Sequence, residues 1–206
     1  MILIGQYDSP FVRRTGIALK LYGIAFEHRP WSAFSDAFRI RPYNPLIRVP
    51  TLVLDTGETL VESHYILDYL DGLMPEEARL LPAREPARRM ALKIVALATG
   101  LGDKAVSLFY EQRMHHITSD SYVERLKAQI DGALEELEGV AARRATSYLT
   151  GESISHADIA VAVMWKFVSD AHPGLVCAED CPTIAAMSER LEALPAFREI
   201  SQPFVP

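Results

Sequence analysis

Ser9 stands where a hydroxyl group could act on a bound anion. It follows a short apolar run, Ile2–Ile4, that predicts a strand, and it directly precedes Pro10. Proline suits the first position of a helix because its missing N–H would be unpaired there in any case. A hydroxyl and unpaired backbone amides at a helix N-terminus favour an anionic ligand. The same position also suits an ordinary helix cap, so this feature alone leaves both roles open.

Two further junctions carry residues that could bind a ligand. The segment Asn44–Thr51 places Pro50 at the mouth of a predicted strand, where a proline cannot donate to the sheet. A cis Val49–Pro50 bond would fit this geometry, although only about 5–6% of X-Pro bonds in folded proteins are cis. Glu62 and Ser63 stand at a predicted strand-to-helix junction. They could cap the helix there, or capture the amine and the carboxylate of a ligand.

The elements that must position these residues alternate between strand and helix over the first 75 residues. Apolar residues at helical spacing follow Pro10, and a second helix with core spacing begins at Ser63. The predicted elements are a strand at Ile2–Ile4, a helix through Val12–Leu21, a strand at Phe26–Arg29, a helical turn at Asp36–Ile40, strands at Thr51–Leu54 and Thr59–Val61, and a helix from Ser63 onward. The sequence therefore predicts an α/β domain of order βαβαββα over residues 1–75.

The remainder of the chain predicts helices alone. Residues 76–85 lie between Pro75 and Pro86, contain Pro82 and a patch of charge, and lack periodicity, which is typical of a linker. Apolar residues then recur at helical spacing in four segments, at Glu85–His116, Ser121–Arg144, Ser155–Ala171 and Pro182–Leu194. We therefore predict an all-helical domain over residues 86–206.

Ser155 and Asp158 form a sequence signature for the start of a helix. Their three-residue spacing is that of a capping box, closed here by aspartate in place of the usual glutamate. We expect the pair to fix the beginning of the third of these helices and to take no part in chemistry.

Composition narrows the class of protein. The 206 residues carry 21 Lys and Arg against 27 Asp and Glu, a net charge of −6, which disfavours a nucleic-acid binder. The basic doublets, Arg13-Arg14 among them, are predicted to be solvated helix surface or domain contacts, with Arg13 as a candidate inter-domain or dimer residue. Cys177 and Cys181 are expected to be free thiols in a reducing cytoplasm, with a regulatory disulfide between them as the alternative. No apolar stretch is long enough for a membrane span, no secretory signal is evident, and no histidine spacing indicates a metal site.

Taken in order, these motifs resemble a known family. The run Ser9–Arg13, then Val49-Pro50, then Glu62-Ser63, followed by a helical domain, resembles a cytosolic glutathione S-transferase of the bacterial, serine-using type along essentially the whole chain. The resemblance implies a thioredoxin-like N-terminal domain and an all-helical C-terminal bundle. It also implies that Pro50 is cis and that the backbone of Val49 pairs with the cysteinyl part of glutathione. Glu62 and Ser63 would hold its γ-glutamyl end.

Two positions depart from the family pattern. Where the family often has Gly-Lys before Val-Pro, this chain has Ile47 and Arg48. Arg48 keeps the positive charge and could meet the glycyl carboxylate of glutathione, although arginine and lysine differ in geometry. Ile47 leaves the conformation of the loop open.

The resemblance also implies a mechanism. A free thiol has a pKa of about 8.5, so little of it is the nucleophilic thiolate near pH 7. Ser9 would donate a hydrogen bond to the thiolate of glutathione and form no covalent bond itself. Tyr7 is an alternative hydroxyl, but its position three residues before Pro10 suits the register less well. The absence of cysteine at position 9 argues against a mixed disulfide with glutathione.

We expect a transferase that adds glutathione, as co-substrate and without another cofactor or a metal, to small hydrophobic electrophiles. Alternatives are a non-catalytic or regulatory binding module, and a glutathione-dependent isomerase or dehalogenase. A homodimer is expected from the resemblance, in the cytoplasm and without a nucleic-acid or membrane partner. The electrophile pocket is expected between the domains, and its candidate residues, each of which could also be core, are Phe11, Phe34, Tyr110, Met114 and Trp165.

Overall fold

Four short strands and their connecting helices form the N-terminal part of the computed structural model, which describes residues 1–204. The chain divides into two compact units. Within the described residues, the N-terminal unit comprises Met1–Leu80 and the C-terminal segment 194–204, and the helical unit comprises Leu81–Ala193. The N-terminal unit contains β1 (Ile2–Ile4), α1 (Pro10–Leu21), β2 (Glu27–Arg29), α2 (Ala37–Ile40), β3 (Thr51–Val53), β4 (Thr59–Val61), α3 (Ser63–Gly72) and a 3-10 turn at Glu76–Ala78.

The strands form one mixed sheet in the order β2-β1-β3-β4. β1 and β2 run parallel, whereas β3 is antiparallel to both β1 and β4. Ile4, the last residue of β1, pairs with Thr51, the first residue of β3, and Thr51 in turn pairs with Val61 at the end of β4. The register therefore brings the loop after β1, the residue before β3 and the residue after β4 to the same end of the sheet.

Helices α1 and α3 complete the N-terminal unit as the apolar pattern predicted. Ile66, Leu67 and Leu70 of α3 are buried, and residues 12–19 of α1 are buried without interruption. α1 packs against both α3 and β1, so few of its positions are left to solvent. The predicted thioredoxin-like order βαβαββα is confirmed.

The helical unit contains four helices, α4 (Ala87–Met114), α5 (Asp120–Ala142), α6 (His156–Ala171) and α7 (Pro182–Glu192). α4 packs against α5 and α6, and α6 packs against α7. α6 is buried along almost its whole length, which agrees with its nearly continuous apolar sequence. The capping box of Ser155 and Asp158 begins α6 as expected. The all-helical C-terminal fold is confirmed, and no helix among residues 1–204 is long and apolar enough to cross a membrane.

The C-terminal segment differs from the domain division expected from sequence. The sequence predicts one domain over residues 86–206, but residues 194–204 belong to the N-terminal unit, where they contain α8 (Pro195–Glu199). Phe197 and Ile200 are buried there, and the guanidinium of Arg13 donates to both of their carbonyl oxygens, at 3.2 and 2.9 Å. Helical periodicity reports which face of a segment is apolar, but it does not report which unit covers that face.

Candidate active site

Ser9 lies at the N-terminus of α1, at the end of the sheet where the three junctions meet. Its backbone is held on both sides, because its N–H donates to the carbonyl of Gln6 (3.2 Å) and its carbonyl accepts from the N–H of Arg13 (2.9 Å). Within the described part of the chain, its hydroxyl makes no hydrogen bond to the amides of α1. The hydroxyl is therefore not used as an ordinary helix cap and remains able to donate to a ligand.

Tyr7, the alternative hydroxyl, packs into the N-terminal unit. Its ring stacks on His28 with centroids 3.9 Å apart, and a Cβ at Gly16 of α1 would lie 3.3 Å from it. Burial raises the pKa of Tyr7 to about 12. A less acidic phenol is a weaker hydrogen-bond donor towards a thiolate, so the surroundings of Tyr7 favour Ser9 for that role.

Asp8 adds a titratable group beside Ser9. Burial raises the pKa of its carboxyl group, and hydrogen bonding to the Ser9 backbone opposes that rise. This carboxylate was not among the residues that sequence patterns singled out.

The loop before β3 is organised by Asn44, which is buried. Its side-chain amide donates to the carbonyl of Arg48 (2.9 Å) and to the hydroxyl of Thr51 (3.1 Å), while its side-chain oxygen accepts from the N–H of Leu46 (3.0 Å). An asparagine that bonds the backbone two residues later is a standard turn element, and the Asn-Pro pair signals it in the sequence. The Val49–Pro50 bond in this loop is cis, as the resemblance implies.

Ile47 adopts a left-handed backbone conformation in the same loop, with φ of 52°. This region favours glycine and is costly for a β-branched residue. The side chain of Ile47 packs against the buried cluster of Ile4, Ile40 and Val53. Compared with glycine, isoleucine at position 47 therefore adds backbone strain and gains apolar packing.

We expect Ile47→Gly to be more stable than Ile47→Ala by about 1 kcal/mol. Both variants lose the packing of the isoleucine side chain, so the difference between them isolates the backbone conformation. At most positions glycine is the less stable of the two. Urea unfolding of the two variants measures the difference, and an alanine variant at least as stable as the glycine variant would contradict the expectation.

Glu62 and Arg48 form an ion pair at the end of β4, with the guanidinium Nη1 2.7 Å from the carboxylate Oε1. Glu62 precedes α3 with φ of 66°, an uncommon conformation that clusters at functional sites. Among residues 1–204, its carboxylate makes no capping bond to α3. The structure thus brings two of the sequence-predicted binding residues into direct contact with each other.

Ser63 is the first residue of α3 and contacts a buried cation that was not among the predicted site residues. The Nη1 of Arg14 lies 3.3 Å from the Ser63 hydroxyl, and Arg14 is only 2% exposed. Its Nε has no hydrogen-bond partner among the described residues. Burial lowers the pKa of Arg14 to about 10, so the guanidinium is still charged at neutral pH.

Of the two alternatives predicted for the Arg13-Arg14 doublet, solvated helix surface is wrong for both residues, because both are buried. Arg13 is 5% exposed and bonds the C-terminal segment, and Arg14 lies behind the N-terminus of α3. Because arginine is rarely this buried, a pair of arginines in a sequence is normally interpreted as surface charge. The doublet itself carries no signal that would indicate its burial.

The five candidate pocket residues fall in different parts of the chain. Phe11 on α1 is half-buried and Phe34 is exposed, and both belong to the N-terminal unit. In the helical unit, Tyr110 and Met114 lie one turn apart on α4 with exposed side chains, and Trp165 is buried in α6. Their part in binding an electrophile stays a prediction.

The fold and the junction residues together define a class of protein. A mixed sheet of order β2-β1-β3-β4 with a cis proline before β3, joined to an all-helical unit, is a thioredoxin-like domain followed by a helical bundle. Two family models match the chain, the N-terminal domain of glutathione S-transferase over residues 3–78 and its C-terminal domain over residues 120–201. The chain belongs to the glutathione S-transferase family.

Individual relatives agree with this assignment. The chain is 30% identical to the uncharacterized GST-like protein YibF of Escherichia coli K12, over 98% of this chain and 99% of that one. It is 27% identical to probable maleylacetoacetate isomerase 1 of Drosophila melanogaster, over 96% and 79%. A crystal structure of a glutathione S-transferase from Methylobacterium radiotolerans in complex with glutathione sulfonate superposes with a TM-score of 0.91 at 30% identity, and the match covers 100% of this chain and 95% of that one.

Proposed function

We propose that this protein binds glutathione, stabilises its thiolate through Ser9, and transfers it to small hydrophobic electrophiles. The observation that carries the proposal is the position of Ser9, whose hydroxyl is not used as a helix cap and lies at the same end of the sheet as Pro50 and Glu62. The related transferase that was crystallised with glutathione sulfonate supports glutathione as the co-substrate.

The γ-glutamyl end of glutathione carries an ammonium and a carboxylate, and the N-terminus of α3 offers a partner for each. Glu62 provides a carboxylate for the ammonium. Ser63 provides a hydroxyl and a helix N-terminal amide for the carboxylate, and the buried charge of Arg14 lies directly behind that hydroxyl. The buried cation strengthens anion binding because little solvent screens its charge.

The remaining contacts follow the loop before β3. The backbone of Val49 would pair with the cysteinyl part, and the cis bond to Pro50 sets the direction of that backbone. Arg48 would meet the glycyl carboxylate, and to do so its guanidinium must share or leave its ion pair with Glu62.

Transfer requires that the thiol lose its proton before it attacks. If the site lowers the thiol pKa by about two units from its free value, the thiolate gains about 2.7 kcal/mol of preferential stabilisation. The proton passes to solvent, the sulfur forms a bond to the electrophilic carbon, and a leaving group departs or the product takes up a proton. Ser9 donates a hydrogen bond to the sulfur throughout and forms no covalent bond. The electrophile would contact apolar side chains among the five candidates.

A glutathione-dependent isomerase is the second candidate function. The 27% identity to a probable maleylacetoacetate isomerase over nearly the whole chain favours it, and such chemistry would use the same thiolate. An isomerase regenerates glutathione, whereas a transferase consumes it. A binding module would hold glutathione without turnover. We also propose that the protein is a homodimer in the cytoplasm.

The test of the proposal combines calorimetric titration with glutathione, ultraviolet detection of bound thiolate, and turnover of a chlorinated dinitrobenzene. We expect binding, a thiolate signal at neutral pH, and one glutathione consumed per product. An unsaturated diketoacid that can isomerise from cis to trans tests the isomerase alternative. Glutathione binding without turnover of either compound would instead identify a binding module. Absence of binding would refute the proposal.

We expect Arg14→Met to weaken glutathione binding by about tenfold. The variant removes the positive charge that would attract the γ-glutamyl carboxylate, and an interaction with a charged group contributes about this much to binding. A glutathione analogue without the α-carboxylate should bind the wild type and the variant almost equally. Titration calorimetry with both ligands measures this, with Arg14→Lys as the variant that keeps the charge. An equal loss for both ligands would show that Arg14 is only structural.

A further inference from the structure

The C-terminal segment, residues 194–202, is fastened to α1 at several points. The buried Phe197 and Ile200 give their carbonyl oxygens to Arg13, whose guanidinium also lies over the Phe197 ring at 6.0 Å. The Nζ of Lys20 pairs with the carboxylate of Glu199 at 2.6 Å. A cation near the last carbonyls of a helix is favourable, so these contacts hold the end of α8 firmly against α1.

Beyond α8, Gln202 reaches the loop that carries Ser9. Its side-chain oxygen accepts a hydrogen bond from the backbone N–H of Tyr7 at 2.8 Å, across a separation of 195 residues. Gln202 is half-buried, so water competes only partly for this bond. Because Arg13 and Lys20 anchor the C-terminal segment to α1, the backbone that carries Gln202 is held in place relative to α1.

The loop between β1 and α1 depends on such outside contacts. It comprises residues 5–9 and begins at Gly5, whose φ of 131° is open to glycine and rarely to other residues. The N–H of Gly5 donates to the carbonyl of Arg29 at one end of the loop, and Ser9 is held by Gln6 and Arg13 at the other. The bond from Tyr7 to Gln202 fixes the middle of the loop, two residues before Ser9.

We propose that Gln202 is a positioning residue for the reaction, which sets the place of the Ser9 hydroxyl through the Tyr7 amide. The proposal rests on the proposed role of Ser9 in stabilising the glutathione thiolate. Small displacements of a group that stabilises charge are costly, since the strength of its hydrogen bond falls steeply with distance and angle. Glutathione itself would be held mainly through residues 48–63 on other elements, so its affinity should depend little on Gln202.

The test compares variants of Gln202 in the full-length protein. Gln202→Met removes the acceptor at similar length, Gln202→Ala removes it with a smaller side chain, and Gln202→Glu keeps an acceptor. We expect kcat to fall about 5- to 20-fold in the first two, with the pKa of the bound thiol raised by about half to one unit. The KM for glutathione should stay within about twofold, and Gln202→Glu should restore most of the rate.

A double-variant cycle separates this role from a general loss of structure. If Gln202 acts through Ser9, adding Gln202→Met to Ser9→Ala should lower kcat by less than about twofold further. Ser201→Ala, an exposed position next to Gln202 on the same segment, serves as the matched control and should leave kcat and the thiol pKa unchanged.

Each contrary outcome has a distinct meaning. Wild-type kcat and thiol pKa in both Gln202→Met and Gln202→Ala would overturn the inference, as would an equal loss in Ser201→Ala. Multiplicative losses in the double variant would overturn the route through Ser9. If Ser9→Ala itself leaves turnover and thiol pKa unchanged, the proposed function fails and the inference fails with it.

Discussion

Replacing Ser9 with alanine is expected to lower kcat/KM for glutathione transfer by about 100-fold and to return the pKa of the bound thiol towards its free value of about 8.5. The hydroxyl of Ser9 makes no capping bond to α1 within residues 1–204. Its removal should therefore change the stability of the helix little and destabilise the bound thiolate strongly. A hydrogen-bond donor aimed at developing or fixed charge in an active site contributes about 10²- to 10³-fold in rate.

The pH dependence carries the sign of this effect. A site that favours the thiolate lowers the thiol pKa, so the wild-type rate should already be close to its plateau at neutral pH. In Ser9→Ala the same rise should move to higher pH, and the two rates should converge in part above pH 9. Ultraviolet titration of the bound thiolate gives the pKa independently of turnover.

Two control variants make the Ser9 result specific. Ser9→Thr keeps a hydroxyl at the same position and should retain most of the rate. Tyr7→Phe removes the alternative hydroxyl while preserving the ring that stacks on His28, and should change the thiol pKa little. A large loss in Tyr7→Phe together with an unchanged Ser9→Ala would assign the role to the tyrosine instead.

Asp158→Ala is expected to lower the free energy of unfolding by about 3–5 kcal/mol, the largest stability effect that we predict. Asp158 is fully buried, and its carboxylate accepts hydrogen bonds from the N–H of Leu149 (2.8 Å), the N–H of Ser155 (2.9 Å) and the hydroxyl of Ser155 (2.6 Å). Alanine leaves these donors buried and unpaired. Each unpaired buried donor costs about 1–3 kcal/mol, and partial relaxation reduces the sum.

Urea unfolding followed by circular dichroism measures this loss as a lower midpoint at unchanged slope. Ser155→Ala is the matched comparison, because it removes the hydroxyl and leaves the carboxylate bonded to both amides. It should cost only about 0.5–2 kcal/mol, with little effect on the chemical step of the proposed reaction. If Asp158→Ala lowers the free energy of unfolding by less than about 1 kcal/mol, the carboxylate does not stabilise the start of α6 as we expect.

Much of the architecture could be predicted from local patterns. The run from Ser9 to Pro10 predicted the start of α1, and the spacing of Ile66 and Leu70 predicted the buried face of α3. The capping box of Ser155 and Asp158 predicted the start of α6. These features depend on residues within a few positions of one another, so their backbone preferences and periodicity are encoded locally.

Other features of the candidate site could not be predicted in this way. Nothing in the doublet Arg13-Arg14 distinguishes a buried cation behind Ser63 from a solvated one. The ion pair between Arg48 and Glu62 joins residues that the family resemblance assigns to opposite ends of the same ligand. The left-handed conformation of Ile47 is forced by the loop and its packing, against the preference of the residue itself.

The sequence by itself determined the order of strands and helices, the helix starts, and the short motifs that place the chain in its family. Only the tertiary structure decided that the Ser9 loop, Pro50 and Glu62 meet at one end of the sheet, because that meeting depends on the pairing of Ile4 with Thr51 and of Thr51 with Val61. It also decided that residues 194–204 join the N-terminal unit, which brings Gln202 to Tyr7. Local sequence sets dihedral preferences and apolar faces, whereas strand register and the packing of distant segments are chosen by contacts between residues far apart in the chain.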